Sequence, residues 1–304
     1  MIKKSLLLLM LVIFVTTTAC TQDTVDVPKP DYSQLPLPIE DVKPLRGLID
    51  NSFQDKLIAG LNKNKKWKRL IEQKKMAVGL VDLRDPENVK YARVNGNVMM
   101  YAASLPKIGI LLAAEDALEK GELQDSEEIQ QDLRLMISKS DNAASTRMID
   151  RLGYDKIESV LKDPIYELYD EDYGGGLWVG KRYAKTGARH PEPLKGLSHA
   201  ATVSQVCRYY YLLAYGKLVS FERSKIMLDM MVNPELHHKF VNSLEKVAPK
   251  AKLFRKSGTW KNFHTDSVLV WGPERKFILV ALIEDPEGEK ICRDLVGVVE
   301  KVFD

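Results

Sequence analysis

Three short motifs carry residue types that can attack an amide carbonyl. In chain order they are Ser-Leu-Pro-Lys (Ser104–Lys107), Ser-Asp-Asn (Ser140–Asn142) and Lys-Ser-Gly (Lys256–Gly258). A serine supplies the nucleophile, a lysine whose pKa is lowered by burial can take its proton, and a second serine can pass a proton to the leaving group. Each motif alone is common, so the prediction depends on all three occurring in this order.

Two of the three patterns recur elsewhere in the chain, and their surroundings distinguish the copies. Ser-x-x-Lys is repeated at Ser159–Lys162 and Ser243–Lys246, and Lys-Thr-Gly occurs at Lys185–Gly187. Neither further serine motif precedes a long apolar helix, and the residues after Gly187 are typical of a loop. We therefore assign these copies to structure and keep the first three as candidates.

Ser104 follows a short strand-like run and precedes a largely apolar helical stretch that ends at Lys120-Gly121. The pattern predicts a helix with a glycine stop, and Pro106 is tolerated only in its first turn. Ser104 then lies at a helix N-terminus, where free N–H groups favour negative charge, with Lys107 on the same face. The alternative is that Ser104 only caps the helix and that Lys107 is solvated.

Ser140–Asn142 separates two helical stretches, so these residues can also be a helix N-cap. In the functional interpretation, Ser140 relays a proton to the leaving group and Asn142 holds the substrate amide by hydrogen bonds.

The third motif begins a β-rich C-terminal block. Two further β-rich runs, 265–271 and 277–283, are separated by Gly272-Pro273 and predict an antiparallel meander. On an edge strand, Lys256 can orient Ser140 and attract an anionic substrate.

The residues that follow Lys256 can bind the rest of the substrate. Ser257 and Thr259 can hold its carboxylate, and the Thr259 N–H can join that of Ser104 in an oxyanion hole. Gly258 removes a side chain where another backbone must come close.

With all three motifs placed, residues from about 45 to 304 resemble the penicillin-recognising serine hydrolases, specifically the class A β-lactamase branch. The resemblance implies an α+β fold: a five-stranded antiparallel sheet covered by N- and C-terminal helices, with an all-helical subdomain at about 104–250 inserted in it. It also implies acylation of Ser104 by a β-lactam or peptidoglycan-type amide. The other matching functional positions are Lys107, Ser140, Asn142, Lys256, Ser257 and Thr259.

One element of class A β-lactamases is missing: a Glu-x-x-x-Asn loop whose glutamate activates the deacylating water. Glu167 and Glu171 lie in the corresponding stretch, but neither has Asn four positions later. Either the acyl-enzyme is long-lived, as in penicillin-binding proteins, or Glu171 or Glu167 reaches the site by another path, or the loop is simply solvated. The functional alternatives are a β-lactamase-like hydrolase, a penicillin-sensitive D,D-peptidase and a cell-wall-binding protein without turnover.

Residues 1–20 have the pattern of an export signal, with Lys3-Lys4 before a short apolar core. Because small residues precede Cys20, the segment resembles a bacterial lipoprotein signal that would leave Cys20 lipidated; ordinary secretion is the alternative. The proline-containing residues 21–44 predict an extended tether. We expect a protein exported and lipid-anchored to a membrane, periplasmic or at the cell surface.

Composition excludes other classes of function. The net charge is +3, and +1 without Lys3 and Lys4, so nothing favours a nucleic-acid partner. No metal-ligand spacing or cofactor motif is present, and we expect a monomer. Cys207 and Cys292 lie in apolar helical settings, which favours buried thiols over a disulfide, although the compartment would permit one.

Overall fold

The computed structural model describes residues 32–303. The strands in this range are β1 (Met76–Asp82), β2 (Lys90–Val94), β3 (Met100–Tyr101), β4 (Tyr169–Asp170), β5 (Gly175–Gly176), β6 (Trp178–Val179), β7 (His199–Ala201), β8 (Lys252–Trp260), β9 (Phe263–Trp271) and β10 (Lys276–Glu284). The α-helices are α1 (Asn51–Asn62), α2 (Lys65–Glu72), α3 (Lys107–Glu119), α4 (Glu127–Ser138), α5 (Asn142–Leu152), α6 (Tyr154–Leu161), α7 (Val203–Ala214), α8 (Phe221–Met231), α9 (Phe240–Val247) and α10 (Gly288–Phe303). Two 3-10 helices lie at Leu45–Gly47 and Glu171–Tyr173.

Five strands from both ends of the described chain form one antiparallel sheet, in the order β2-β1-β10-β9-β8. The predicted α+β fold with a five-stranded antiparallel sheet is therefore confirmed. Strand β8, which carries Lys256–Gly258, lies at the edge of the sheet. Trp260 at the end of β8 pairs with Phe263 at the start of β9, so the two strands are joined by the two-residue loop Lys261-Asn262.

Each face of the sheet covers its own hydrophobic core. One core contains the apolar sides of α1, α2, α9 and α10, and the other contains α3 and α7 with the remaining helices of the middle region. The stripe Ile291, Leu295 and Val299 repeats every four residues and is buried on α10, as its spacing predicts. Cys207 and Cys292 lie in different cores and both are free, so no disulfide joins them.

The helical insertion runs from α3 to α8 and ends earlier than the predicted residue 250. Helix α9 instead belongs to the layer of the terminal helices, because Phe240, Val241 and Leu244 are buried in the same core as α10. A second sheet joins β3, which precedes the insertion, to β7 and β6, which lie within it.

Residues 32–44 belong to the folded body and are not part of a free tether. Leu37 is fully buried in the core of the middle region, and its N–H donates to the Ala214 carbonyl at 2.7 Å. The indole of Trp271 donates to the Ser33 carbonyl at 3.0 Å. The prolines of this segment predicted an extended chain without a core. Apolar side chains between the prolines pack against the folded body instead.

The predicted signal segment 1–20, the candidate lipidation site Cys20 and residues 21–31 lie outside the described residues. Within residues 32–303, no helix combines the length and apolarity needed to cross a bilayer.

Candidate active site

Ser104 lies in a tight turn between β3 and α3, with its side chain half-buried. The turn is closed by the Lys107 N–H, which donates to the Ser104 carbonyl at 3.3 Å. Ala103 has φ of 50°, a left-handed conformation that costs free energy in a residue with a Cβ. Such strain is typical of sites where a reactive side chain must be held at a fixed angle.

Strand β8 approaches this turn closely at Gly258. A Cβ at Gly258 would lie 2.5 Å from the Ala102 carbonyl oxygen and 2.6 Å from the Ser104 nitrogen. Both contacts are shorter than van der Waals packing permits, so only glycine allows this approach. Gly258 thus has the structural role that the sequence predicted for it.

The Ser140 hydroxyl is the point at which the three motifs meet. Lys256 Nζ donates to Ser140 Oγ at 2.8 Å, and Lys107 Nζ lies 3.4 Å from the same oxygen. Lys107 Nζ also donates to the Ser140 carbonyl at 2.7 Å and to Asn142 Oδ1 at 2.8 Å. Two amines from distant parts of the chain therefore flank one hydroxyl.

The capping interpretation of Ser140–Asn142 is confirmed for Asp141 alone, and it leaves the Ser140 hydroxyl free for the lysine contacts. The Asp141 carboxylate caps α5 by accepting from the Ala144 N–H at 2.7 Å. Ser140 itself lies between α4 and α5 with φ of 57°, and its hydroxyl contacts the lysines.

Burial gives Lys107 an unusual titration. The side chain is fully buried, which lowers its pKa to about 7 against a weaker opposing effect of the Asp141 carboxylate. The lowered pKa makes the free amine, the form that can accept a proton, accessible near neutral pH. No hydrogen bond joins this amine to the Ser104 hydroxyl within residues 32–303, and such contacts commonly tighten only when substrate is bound.

Lys256 is also fully buried, and burial, followed by the positive charge of Lys107, lowers its pKa well below the ordinary value. Its Nζ donates to the Ser257 carbonyl at 2.8 Å as well as to Ser140. In the described part of the chain, neither Lys107 nor Lys256 forms an ion pair with a carboxylate.

The edge of β8 presents the remaining predicted binding groups. In a hairpin with a two-residue loop, the residues flanking the loop form a hydrogen-bonded pair, so the N–H groups of Trp260 and Gly258 face β9. The Thr259 N–H then points away from the sheet, on the side of Ser104. Thr259 is exposed, whereas Ser257 is buried.

An aromatic side chain that sequence reasoning missed covers Lys107. The ring of Tyr183, from the irregular segment between β6 and β7, lies 4.4 Å from Lys107 Nζ, and its hydroxyl donates to the Ala103 carbonyl at 3.2 Å. The ring stacks on His199 with centroids 4.2 Å apart. Burial, then Lys107 and Lys181, lower the pKa of His199 to about 3, so this imidazole is neutral.

The two candidate deacylation bases contact other groups. Glu167 forms an ion pair with Arg46 and lies 3.5 Å from Arg208, and Glu171 lies 3.4 Å from Lys162. Within the described residues, neither carboxylate contacts the Ser104, Lys107 or Ser140 side chains. The prediction that one of them reaches the site is not supported, because nearby cations hold both elsewhere.

A buried carboxylate in the same region, Glu192, also has its acceptors filled. It binds the Tyr169 hydroxyl and the N–H groups of Leu194 and Lys195, the latter two at 2.7 Å. These bonds fix its own loop, so Glu192 does not supply a base at Lys107.

The repeated motifs have structural surroundings. Ser159 donates to the Lys156 carbonyl in α6, and Ser243 donates to the Arg293 carbonyl. Lys185–Gly187 lies in an exposed loop. The assignment of these copies to structure agrees with their positions.

Comparison with known proteins identifies the family. A model of the Beta-lactamase enzyme family matches residues 62–132 and 128–299, which is most of the chain. The chain belongs to the beta-lactamase enzyme family. No curated protein matches it in sequence.

Solved structures of this family share its fold at low sequence identity. A β-lactamase from Sphaerobacter thermophilus is 16% identical, with a TM-score of 0.62 over 82% of this chain and 95% of that one. The protein PBP-A is 18% identical, with a TM-score of 0.62 over 86% and 99%. A class A β-lactamase from Mycobacterium abscessus is 15% identical, with a TM-score of 0.59 over 83% and 99%. These similarities establish the fold alone.

Proposed function

We propose that this member of the beta-lactamase family forms an acyl-enzyme at Ser104 with a β-lactam or a closely related amide. The observation that carries the proposal is the Ser140 hydroxyl between Lys256 Nζ at 2.8 Å and Lys107 Nζ at 3.4 Å, beside the turn that holds Ser104. A proton relay of this kind is what amide cleavage by a serine requires.

The proposed acylation starts with neutral Lys107, which accepts the proton of the Ser104 hydroxyl as Oγ bonds to the carbonyl carbon. The Ser104 and Thr259 N–H groups stabilise the oxyanion. When the carbon–nitrogen bond breaks, Ser140 gives its proton to the leaving nitrogen and regains one from Lys107. The net transfer is one proton from Ser104 to the nitrogen. Lys256 and Ser257 bind the substrate carboxylate, and Asn142 binds the side-chain amide.

We propose that deacylation is slow. A water molecule needs a base close to the ester, and the two candidates, Glu167 and Glu171, form ion pairs with Arg46, Arg208 and Lys162. Tyr183 covers Lys107 instead, and burial keeps its phenol protonated by raising its pKa. This arrangement favours a penicillin-sensitive D,D-peptidase over a fast β-lactamase.

Intact-mass spectrometry of the exported body after a penicillin pulse tests these steps together. We expect an adduct of one penicillin mass that persists for many minutes. Ser104→Ala abolishes it, whereas the matched variant Ser159→Ala retains it. A transient adduct supports a β-lactamase, and the absence of any adduct on the wild-type protein supports the binding protein without turnover and contradicts the proposal.

We also propose export and lipid anchoring through Cys20. Cell fractionation tests this, because Cys20→Ser then moves the protein from the membrane fraction to the soluble exported fraction. An unchanged distribution would contradict anchoring by this residue.

A further inference from the structure

A third lysine lies fully buried beneath β8 and takes no part in the steps above. Lys239 Nζ donates to the Gly258 carbonyl at 2.6 Å, to Thr259 Oγ1 at 2.8 Å and to the Thr265 carbonyl at 3.0 Å. An ammonium group has three N–H donors and no acceptor, so these contacts use all of its hydrogen-bonding capacity. Lys239 is therefore already satisfied by protein atoms and has no donor left for a substrate.

Its ammonium lies on the face of β8 opposite Ser104. Successive residues of a strand point to opposite faces. The Gly258 position faces the Ser104 turn, whereas the Thr259 side chain contacts Lys239. Lys239 thus supports the strand from behind, at the two residues that lie next to the nucleophile.

The backbone around Lys239 is itself fixed. Lys239 has φ of 56°, and the residues on either side are held by the pair of Arg255 and Asp266. Arg255 donates to the His238 carbonyl at 3.3 Å, and Asp266 accepts from the Phe240 N–H at 3.0 Å. A strained residue held in this way has a defined direction for its side chain.

We propose that Lys239 is a positioning residue for the oxyanion hole. The Gly258 carbonyl and the Thr259 N–H belong to one peptide group, so the bond from Lys239 to that carbonyl fixes the orientation of the N–H and increases its polarity. The same ammonium makes Thr259 Oγ1 an acceptor, which leaves the Thr259 O–H free to donate to a substrate carboxylate. This inference rests on the proposed acylation of Ser104.

The test compares Lys239→Met with wild type and with Lys246→Met, an exposed lysine of α9, the helix that Lys239 precedes. The rate of penicillin adduct formation is measured against penicillin concentration, which separates the acylation constant from the binding constant. We expect Lys239→Met to lower the acylation constant about 10- to 100-fold with little change in binding, because the oxyanion forms only in the transition state. Lys246→Met remains at the wild-type rate.

A fluorophosphonate, which labels an activated serine without being a β-lactam, separates the two proposals. If wild type forms no penicillin adduct, the proposed function fails, and the ratio of fluorophosphonate labelling rates of Lys239→Met and wild type still tests Lys239. The expected ratio is again about 10- to 100-fold. Where Lys239→Met does not fold, Lys239→Gln, which keeps two N–H donors, replaces it.

Three results would overturn the assignment of Lys239. They are an acylation constant within twofold of wild type in the folded variant, a loss confined to penicillin binding, and failure of both variants to fold. The last would identify Lys239 as a purely structural residue.

Discussion

Arg255 and Lys256 are neighbours on β8 but lie on opposite faces of the sheet, and their surroundings differ. Arg255 Nε and Nη2 donate to the two Asp266 carboxylate oxygens at 2.7 and 3.0 Å, with both side chains buried. Lys256 is equally buried, yet the charge that most affects its pKa is the like charge of Lys107, which lowers it.

This difference distinguishes a buried charge that stabilises the fold from buried amines that can take part in proton transfer. A buried charge with a bidentate partner holds its geometry, and removing one partner is costly. Two buried amines without a carboxylate partner destabilise the folded state, and their pKa values fall as a consequence. Strand β8 therefore carries the stabilising ion pair of Arg255 on one face and the proton-transfer group Lys256 on the other.

Replacing Lys107 should have the largest effect on activity. In Lys107→Met we expect acylation to fall about 10³- to 10⁴-fold, because the base is lost. The free energy of unfolding should rise, because removing a buried amine whose charged form is desolvated outweighs the loss of its hydrogen bonds to Ser140 and Asn142. Denaturant unfolding and adduct mass spectrometry check the two values, with exposed Lys250→Met as control. A variant that is inactive and also less stable would contradict this account.

Breaking the ion pair of Arg255 and Asp266 should lower the free energy of unfolding, which is the opposite of the result expected for Lys107→Met. Asp266→Asn leaves Arg255 buried without its counter-charge, and we expect a loss of about 3–5 kcal/mol in the free energy of unfolding. Asp294→Asn, which removes a surface pair with Lys290, should change it by less than about 0.5 kcal/mol. Urea melts measure both, and equal small losses would mean that Arg255 and Asp266 do not form a stabilising pair.

The smallest effect concerns Tyr183. In Tyr183→Ala, water reaches Lys107 and reduces the desolvation that lowers its pKa, so the midpoint of the pH–rate curve should rise by about one pH unit. Tyr183→Phe keeps the ring and should leave the midpoint unchanged. Acylation rates measured across pH distinguish the two variants. Equal midpoints in both would show that the ring does not shield Lys107.

The local part of the site was predictable from sequence. Ser104, Lys107 and Ser140 lie at helix starts, and helix starts have strong short-range signals in capping residues and apolar periodicity. Gly258 was predictable because a strand glycine next to a motif marks a close approach. The antiparallel pairing of β9 with β10 followed from Gly272-Pro273 between them.

The parts that depend on long-range packing were not predictable. Nothing near Lys239 or Tyr183 in sequence distinguishes them, since each acts on residues 19 or more positions away. Residues 32–44 looked like a tether because their prolines gave no periodic pattern, although Leu37 is buried in the core of the middle region. Glu167 and Glu171 were only candidates by analogy of spacing, and their ion pairs with Arg46 and Lys162 depend on folded neighbours.

The pH dependence of Ser104 acylation tests the central claim most directly. Lys107 acts as a base only when neutral, and its pKa of about 7 lies below that of an ordinary lysine. The second-order rate constant for the penicillin adduct should therefore rise about tenfold per pH unit from pH 5.5 to near 7, and should then level off toward pH 8.5. A rate that does not change over this range, or that keeps rising up to pH 10 as an ordinary lysine would require, would contradict it.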